Sequence, residues 1–167
     1  MTGSRRPSQK LGNFARGIIL SLCVVVFDQT SKFFIIEILA DPPRVIPVTP
    51  FFNLALGFNR GVSFGLLGDL GPRGPLILSL LAVAIVGYFL YWLWKTKSFL
   101  ESTGISLIIG GAVGNVVDRV RTGAVTDFLD FFVGSYHWPA FNLADAGIVA
   151  GAAIIIVRPF FDSQRGN

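Results

Sequence analysis

Three aspartates in the second half of the chain, Asp127 and Asp130 in AVTDFLDFF and Asp145 in FNLAD, lie among apolar and aromatic residues. An ionised carboxylate is costly in such surroundings unless a partner offsets its charge. Two carboxylates within hydrogen-bond reach share a proton, so one can act as general base towards water while the other donates to the carbonyl oxygen under attack. Hydrolysis by a pair of aspartates is therefore a chemistry that these residues allow.

Asp127 and Asp145 could converge as a pair at the far-side membrane boundary, whereas Asp127 and Asp130 cannot pair with each other. Strand residues alternate between two faces, so Asp127 and Asp130 fall on opposite sides and Asp130 is predicted to have no part in the chemistry. The proline in WPAFNLADAG precedes a helix start, which predicts Asn142 as an N-cap or first-turn residue and Asp145 about one turn into the helix. A carboxylate there also complements the helix dipole without any chemistry, and the residues alone leave both interpretations open.

Further polar residues lie inside apolar runs and have structural explanations. Asp28 and Lys32 are four residues apart, the spacing of an ion pair within one helix, and we expect that role. Asn115 and Asp118 share one helix face and could form a single polar seam. Arg119 is the expected counter-ion of Asp118, although a role in chemistry stays open.

Several kinds of chemistry lack their usual residues. The chain has a single cysteine, Cys23, which permits no intramolecular disulfide, and a single histidine, His137. One histidine cannot build the usual zinc or Ser-His-Asp site, so no metal and no cofactor are predicted, and His137 is interpreted as an interfacial residue beside Trp138. Basic and aromatic residues do not interleave as in nucleic-acid-binding proteins, so no nucleic acid partner is predicted.

The composition predicts the elements that must position these residues. Hydrophobic residues make up 52% and charged residues 14% of the 167 residues, and the mean hydropathy is +0.64. Soluble domains carry roughly a quarter charged residues. The run PLILSLLAVAIVGYFLYWLW holds twenty residues without a charge, enough to cross the roughly 30 Å core of a bilayer. In all, the apolar runs predict four transmembrane helices, at about 14–39, 75–94, 99–117 and 141–161.

The basic residues predict the orientation of these helices. Lysines and arginines concentrate before the first helix, between the second and third, and at the C-terminal end, so both termini are predicted cytoplasmic. Segments at about 40–74 and 118–140 then face the far side of the membrane. The N-terminal region also has the shape of a secretory signal peptide, but the apolar pattern resumes after Lys32, which favours an uncleaved first helix.

The far-side segment 45–67, which we call the cradle, has the composition of short twisted strands. Prolines disfavour helix there, and glycines punctuate aromatic and β-branched residues. The predicted fold is therefore an all-α polytopic membrane protein with four transmembrane helices and a small β-rich far-side segment at the membrane surface. By length, it forms one domain.

Five sequence blocks together resemble one known family. They are DQTSK (Asp28–Lys32), NRGVSFG (Asn59–Gly65), GGAVGNVVDR (Gly110–Arg119), VTDFLDF (Val125–Phe131) and FNLAD (Phe141–Asp145). In this order, interleaved with four membrane spans, they resemble the bacterial lipoprotein signal peptidases (signal peptidase II), which are intramembrane aspartyl proteases. The resemblance extends over essentially the whole chain, apart from MTGSRRPSQK at the N-terminus and the loop GDLGPRGP.

The resemblance implies a substrate, a location and site residues. It implies a multi-pass peptidase of the bacterial inner membrane, active towards the periplasmic face, that cuts diacylglyceryl-prolipoproteins just before the lipidated cysteine. Its other implied partner is membrane lipid, and it is expected to be a monomer whose cradle grips the substrate. It assigns Asp127 and Asp145 as the catalytic pair. It places eight residues at motif positions that bind substrate, support the pair or brace the helices: Asp28, Lys32, Asn59, Asn115, Asp118, Arg119, Asn142 and Ala144.

Two other functions are compatible with polar residues inside a membrane protein. A small proton-coupled transporter also uses intramembrane carboxylates, although the chain shows no internal repeat of the kind that many transporters carry. A non-catalytic membrane assembly factor could use the cradle as a docking surface. Cleavage of a purified prolipoprotein separates both alternatives from a peptidase.

Overall fold

The computed structural model describes residues 7–61 and 71–163. Within them the chain forms four α-helices, four β-strands and one 3-10 turn. The order is α1 (Pro7–Leu39), β1 (Val45–Thr49), β2 (Phe52–Asn59), the 3-10 turn (Gly71–Arg73), α2 (Gly74–Lys95), α3 (Phe99–Thr122), β3 (Val125–Val133), β4 (Tyr136–His137) and α4 (Leu143–Ser163). The predicted combination of a mainly helical protein with a small sheet is confirmed.

Three of these helices are long and apolar enough to cross a membrane, as judged over the described residues: Leu11–Leu39, Gly74–Lys95 and Phe99–Thr122. The helix α3 is central, since it packs against α1, α2 and α4. By contrast, α2 turns large apolar side chains such as Leu76, Leu80 and Tyr91 outwards, each more than half exposed. Such a face suits contact with lipid, because apolar side chains cost nothing against acyl chains.

The helix α3 is longer than the sequence predicted. Residues 118–122, assigned to the far-side segment, continue the helix to Thr122. The prediction took the charges of Asp118 and Arg119 as the end of the helix, but charge marks the end of an apolar span and not of a helix. The helix stops at Gly123, whose φ of +74° suits glycine and whose N–H donates to the carbonyl of Arg119.

The other helix ends also differ from prediction. The helix α1 begins at Pro7, earlier than the predicted start near 14. The prediction followed the apolar run, whereas the polar residues before it are also helical. The helix α4 begins at Leu143, later than the predicted 141. Phe141 is held instead in a β-bridge to Leu129.

Glycines allow α3 to approach its neighbours closely at the end of the bundle nearest the sheet. A Cβ on Gly111 would lie 2.2 Å from the carbonyl oxygen of Ala144 in α4. A Cβ on Gly114 would lie 2.7 Å from Oδ2 of Asp28 in α1. Small residues at such positions bring helix backbones together in membranes, which here gathers polar groups from three helices.

The four strands form one antiparallel sheet in the order β1-β2-β3-β4. The segments 45–59 and AVTDFLDFF are therefore strands, as predicted, while the rest of the cradle from residue 62 lies outside the described residues. In the register of β2 and β3, Gly57 is opposite Asp127 and Asn53 is opposite Asp130. The sheet is seated on the end of α1, where Phe128 packs with Ile35 and Leu39.

Candidate active site

Asp127 and Asp145 approach the same pair of asparagines. Asn142 Nδ2 donates to Asp127 Oδ1 at 2.7 Å, and Asn115 Nδ2 donates to Asp145 Oδ1 at 2.7 Å. The two amides are joined in turn, because Asn142 Nδ2 also lies 3.3 Å from Asn115 Oδ1. The structure thus brings together four of the predicted site residues, from β3, α3 and the start of α4.

Asn142 caps α4 and fixes the position of Asp145. Its Oδ1 accepts from the N–H of Asp145 at 2.9 Å, and Asp145 Oδ2 accepts from the N–H of Asn142 at 3.4 Å. This reciprocal arrangement is a capping box, so the predicted N-cap is confirmed. The Asp145 carboxylate complements the helix dipole and also faces Asn115, so the dipole alone does not account for its placement.

The Asp127 carboxyl is buried, with only 4% of the residue exposed. Burial, together with the nearby charge of Asp145, raises its pKa to about 6, against the opposing effect of hydrogen bonds from Asn59 and Asn142. Asn59 Nδ2, at the end of β2, donates to Asp127 Oδ2 at 3.3 Å. Asp127 is therefore the carboxyl that retains a proton at higher pH than an ordinary aspartate, which is the property required of an acid in a carboxylate pair.

A buried ion network lies beside this pair. Lys32 Nζ is 2.8 Å from Asp28 Oδ2 and 2.8 Å from Asp118 Oδ2, and it donates to Asn115 Oδ1 at 3.3 Å. The predicted pairing of Asp28 with Lys32 is confirmed. Asp28 is fully buried and Lys32 is 3% exposed, so each charge depends on the others for compensation.

The predicted salt bridge between Arg119 and Asp118 is not formed. Asp118 faces α1 and pairs with Lys32, whereas Arg119, the next residue along α3, points elsewhere because successive helical residues are about 100° apart. Arg119 Nη1 donates to the carbonyl of Asn115 at 3.5 Å, and its Nε is buried without a hydrogen-bond partner among the described residues. Its guanidinium interacts electrostatically with Asp145, then Asp127 and then Asp118, so it lies near the carboxylate pair.

The ion network also holds the backbone next to each of the paired aspartates. Asp28 Oδ1 accepts from the N–H of Ala144 at 3.0 Å, and Asp118 Oδ2 accepts from the N–H of Thr126 at 3.0 Å. Ala144 precedes Asp145, and Thr126 precedes Asp127. The ion network therefore connects the two segments that carry Asp127 and Asp145. Ala144, which was predicted as a site position, takes part through its backbone N–H, since its side chain is only a methyl group.

Sequence reasoning missed two members of this network. Gln29 Nε2 donates to Asp118 Oδ1 at 2.8 Å, and it lies 3.1 Å from Asp28 Oδ2 and 3.2 Å from the carbonyl of Gly114. Its position inside DQTSK was a signal, since it adjoins Asp28. Thr126 contributes a backbone N–H, for which no side-chain signal exists.

The prediction that Asp130 and Asp127 lie on opposite faces of β3 assumed regular alternation, which is interrupted between them. The N–H groups of Phe128 and Leu129 both donate to the carbonyl of Phe141, the pattern of a β-bulge. Asp130 has partners of its own. Its Oδ2 accepts from Asn53 Nδ2 at 3.1 Å, and its Oδ1 is 2.8 Å from Nδ1 of His137. Burial opposes ionisation, but the hydrogen bonds from His137 and Asn53 and the charge of His137 outweigh it and lower the pKa of Asp130.

An apolar cavity of about 670 Å³ opens beside Asp145. Its wall is formed by the segment 138–141, including Trp138 and Phe141, and by α4 residues such as Ala146, Val149 and Ala153. Asp145 is its charged member. The site thus joins a carboxylate pair to a groove suited to an acyl chain or an apolar helix.

A bundle of membrane-length helices that holds two facing carboxyl groups beside an apolar groove defines an integral membrane protein with the components of a hydrolase. Comparison with known proteins specifies the family. The sequence profile of signal peptidase (SPase) II matches residues 20–161. The chain belongs to this family of peptidases, as its five sequence blocks predicted.

Individual relatives agree with the family profile. The chain is 44% identical to a lipoprotein signal peptidase of Aeromonas hydrophila over 152 residues, covering 90% of this chain and 91% of the relative. It is 45% identical to a lipoprotein signal peptidase of Cupriavidus taiwanensis over 163 residues, with 92% and 91% covered. These similarities favour hydrolysis over the transporter and assembly-factor alternatives.

Solved structures share the fold. One, described as a bacterial membrane enzyme determined by the in meso method at 2.3 Å resolution, superposes with a TM-score of 0.76 at 29% identity and covers 92% of each chain. A second bacterial membrane enzyme, determined by the same method at 1.9 Å, gives a TM-score of 0.71 at 31% identity, with 86% of this chain and 92% of that chain covered.

Proposed function

We propose that the protein is a lipoprotein signal peptidase that uses Asp127 and Asp145 as an aspartyl dyad. Its substrate is a diacylglyceryl-prolipoprotein, and the bond cut is the one just before the lipidated cysteine. The observation that supports the dyad is the chain of hydrogen bonds Asp127–Asn142–Asn115–Asp145, which links the carboxyl groups of a strand and of a helix start through two bonded asparagines.

The mechanism follows from two carboxyl groups that share one proton. The ionised member accepts a proton from water, whose oxygen attacks the scissile carbonyl carbon, while the protonated member donates its proton to the carbonyl oxygen. The tetrahedral diol then collapses: the C–N bond breaks, the amine leaves with a proton from the dyad, and one diol proton returns to it. The raised pKa of Asp127 assigns it the acid role and Asp145 the base role, although the dyad titrates as one unit.

Neighbouring side chains would orient the substrate backbone. Arg119 lies beside both carboxyl groups and has a buried Nε free to donate among the described residues, which suits it to a peptide carbonyl. Asn59 and Asn142 hold the two oxygens of Asp127, so they fix its plane. The ion network of Asp28, Lys32 and Asp118 would stabilise the positions of the two dyad residues.

The apolar groove beside Asp145 suits the lipid part of the substrate. Its walls are aliphatic and aromatic, and α4 presents alanines where a chain could lie close to the helix. A diacylglyceryl group would enter from the bilayer without crossing water. Membrane lipid is therefore both the surroundings of the enzyme and the route by which substrate arrives.

The topology that fits this function has four membrane spans in a single domain. The helix α4 supplies the fourth, since it carries AGIVAGAAIIIV and exposes Val149 and Ile156 by about two thirds. Both termini and the loop at Lys95–Lys97 would face the cytoplasm, and the sheet with the dyad would face the periplasm of the inner membrane. One chain contains every residue of the dyad and its support, so a monomer suffices.

Cleavage of a purified diacylglyceryl-prolipoprotein tests the dyad. Asp127→Asn and Asp145→Asn should each lower kcat by at least about a thousandfold, because each removes a proton-transfer group from a unit that works as a whole. Asp41→Asn is the matched control, since Asp41 is an exposed aspartate in the turn after α1, and it should cleave like the parent. Substantial activity in either dyad variant would contradict the assignment. Loss of parent activity on adding a metal chelator would point to metalloproteolysis instead.

A further inference from the structure

A polar cluster, separate from the contacts of Asp127 and Asp145, ties three strands of the sheet together. Asp130 of β3 is 8% exposed and is bonded on both oxygens, to Asn53 of β2 at 3.1 Å and to His137 of β4 at 2.8 Å. The His137 ring also stacks on Phe132, with the ring centroids 5.0 Å apart. The proposed chemistry makes no use of this cluster.

The cluster lies on the segment that connects the two dyad residues. From Asp127 the chain runs along β3, turns at Gly134, and returns to Asp145 through residues 136–142. Backbone bonds hold the returning part against β3: Trp138 N donates to Phe131 O at 2.8 Å, and Leu129 N donates to Phe141 O at 2.9 Å. Because β4 has only two residues, the side-chain pair is a large part of what fastens its end.

We propose that Asp130 and His137 form a positioning pair that holds this returning segment so that Asp145 meets Asp127. The inference rests on the aspartyl dyad of the proposed function. Neither residue is placed among the reacting groups, since their described side-chain partners are Asn53, Phe132 and each other. Their effect passes through the backbone of β3 and of residues 138–142.

The pair is the side-chain link between β3 and β4 in this cluster. Among the described residues, the charged group in contact with His137 is Asp130, while β2 contributes the uncharged Asn53 and β3 the ring of Phe132. The hydrogen bonds from His137 and Asn53 outweigh burial and lower the pKa of Asp130. Removing either member of the pair therefore leaves the other without its main side-chain partner across these two strands.

The experiment compares kcat and KM under one set of conditions for the parent, His137→Gln, Asp130→Asn, the double variant and His137→Arg. Glutamine offers an uncharged donor, whereas arginine offers a charged donor to Asp130. His137→Gln and Asp130→Asn should each lower kcat by about fivefold with KM little changed, since a small displacement of a reacting group is enough for such a loss.

The remaining variants decide between positioning and other causes. The double variant should be no worse than either single variant, and His137→Arg should keep parental kcat. Tyr136→Phe is the matched control, since Tyr136 is an exposed neighbour of His137, and it should follow the parent. Parental kcat in His137→Gln overturns the pair, and so does a fall that His137→Arg fails to restore. Both outcomes leave the dyad standing, whereas activity in Asp127→Asn would remove the dyad itself.

Discussion

At the scale of single residues, the surroundings of Asp127 favour its protonated form, and this costs the folded protein stability. Asp127 is buried close to Asp145, and both conditions disfavour its charge, while the amides of Asn142 and Asn59 only partly compensate. A dyad needs this imbalance, because two carboxyl groups with ordinary pKa values would both be ionised at neutral pH. At pH values where Asp127 is ionised in the unfolded chain, the folded protein must therefore either hold an unfavourable anion or bind a proton.

This trade predicts that Asp127→Asn is inactive but more stable near neutral pH. The folded-state pKa of about 6 exceeds the ordinary 3.8, so the folded state binds the extra proton between these values. Stability from this group is fully present below pH 3.8 and is lost as the pH rises through 6. Asparagine resembles the protonated form, so it should recover up to about 3 kcal/mol at pH 7.5 and little at pH 4.

The measurement is the thermal unfolding midpoint in detergent at pH 4 and pH 7.5. The Asp41→Asn variant, which changes an exposed aspartate, provides the baseline for a simple change of charge. A midpoint for Asp127→Asn that falls below the parent at pH 7.5 would show that the fold stabilises the Asp127 anion. Such a result would contradict the raised pKa of Asp127.

At the scale of elements, the site depends on how closely α4 approaches α3. Gly111 faces the carbonyl of Ala144, the residue before Asp145. Ala144 is also the residue whose N–H is held by Asp28. The first turn of α4 is thus fixed from two sides, by backbone contact with α3 and by a hydrogen bond to α1. The position of Asp145 in the proposed dyad therefore depends on helix packing as well as on the segment that returns from β3.

Gly111→Ala should therefore impair both stability and catalysis. The new Cβ would lie 2.2 Å from the Ala144 oxygen, so α4 must move by more than an ångström and carry Asp145 with it. We expect a loss of about 1–3 kcal/mol in stability from overpacking and a fall in kcat of at least about tenfold. Thermal unfolding and prolipoprotein cleavage measure the two effects.

Gly87→Ala is the control for this substitution. Gly87 lies within α2, where an added Cβ would meet nothing within 4 Å, so alanine should be neutral or slightly stabilising through its better helix propensity. Parental activity in Gly111→Ala would mean that α3 and α4 are held less tightly than their contact indicates.

The elements also show what sequence patterns can and cannot reveal. Spacing within one element predicted the pairing of Asp28 with Lys32 and the N-cap at Asn142, because the helix period and the capping pattern fix such relations. The alternation assumed between Asp127 and Asp130 is interrupted by a β-bulge, which depends on the bonds to Phe141 and not on spacing. The predicted partner of Asp118, Arg119, was not the one observed, because the choice between Lys32 and Arg119 depends on which helix faces α3. Gln29, Thr126 and the contact of Asp130 with His137 were missed because tertiary packing creates them.

At the scale of the whole molecule, polar groups are distributed unevenly along the helix bundle. One end holds the sheet, the ion network and the dyad. The other holds a smaller polar cluster in which Glu101 accepts from Trp92 and Thr96 and pairs with Arg158 at 2.8 Å. This second cluster joins α2, α3 and α4 at the ends where basic residues gather. Because the two ends of the bundle differ, the side of the membrane that each end faces can be tested directly.

The proposed orientation predicts which introduced cysteines react from outside the cell. In a Cys23→Ser background, which removes the single native thiol, Ser135→Cys is placed at the exposed turn between β3 and β4, and Lys97→Cys at the exposed loop between α2 and α3. A maleimide that passes the outer membrane but not the inner one should label Ser135→Cys in intact cells and leave Lys97→Cys unmodified. Both should label after the inner membrane is permeabilised, which controls for intrinsic reactivity. The reverse pattern would place the dyad on the cytoplasmic side, where lipid-modified precursors do not present their cleavage site, and would contradict the proposed topology even if the purified enzyme were active.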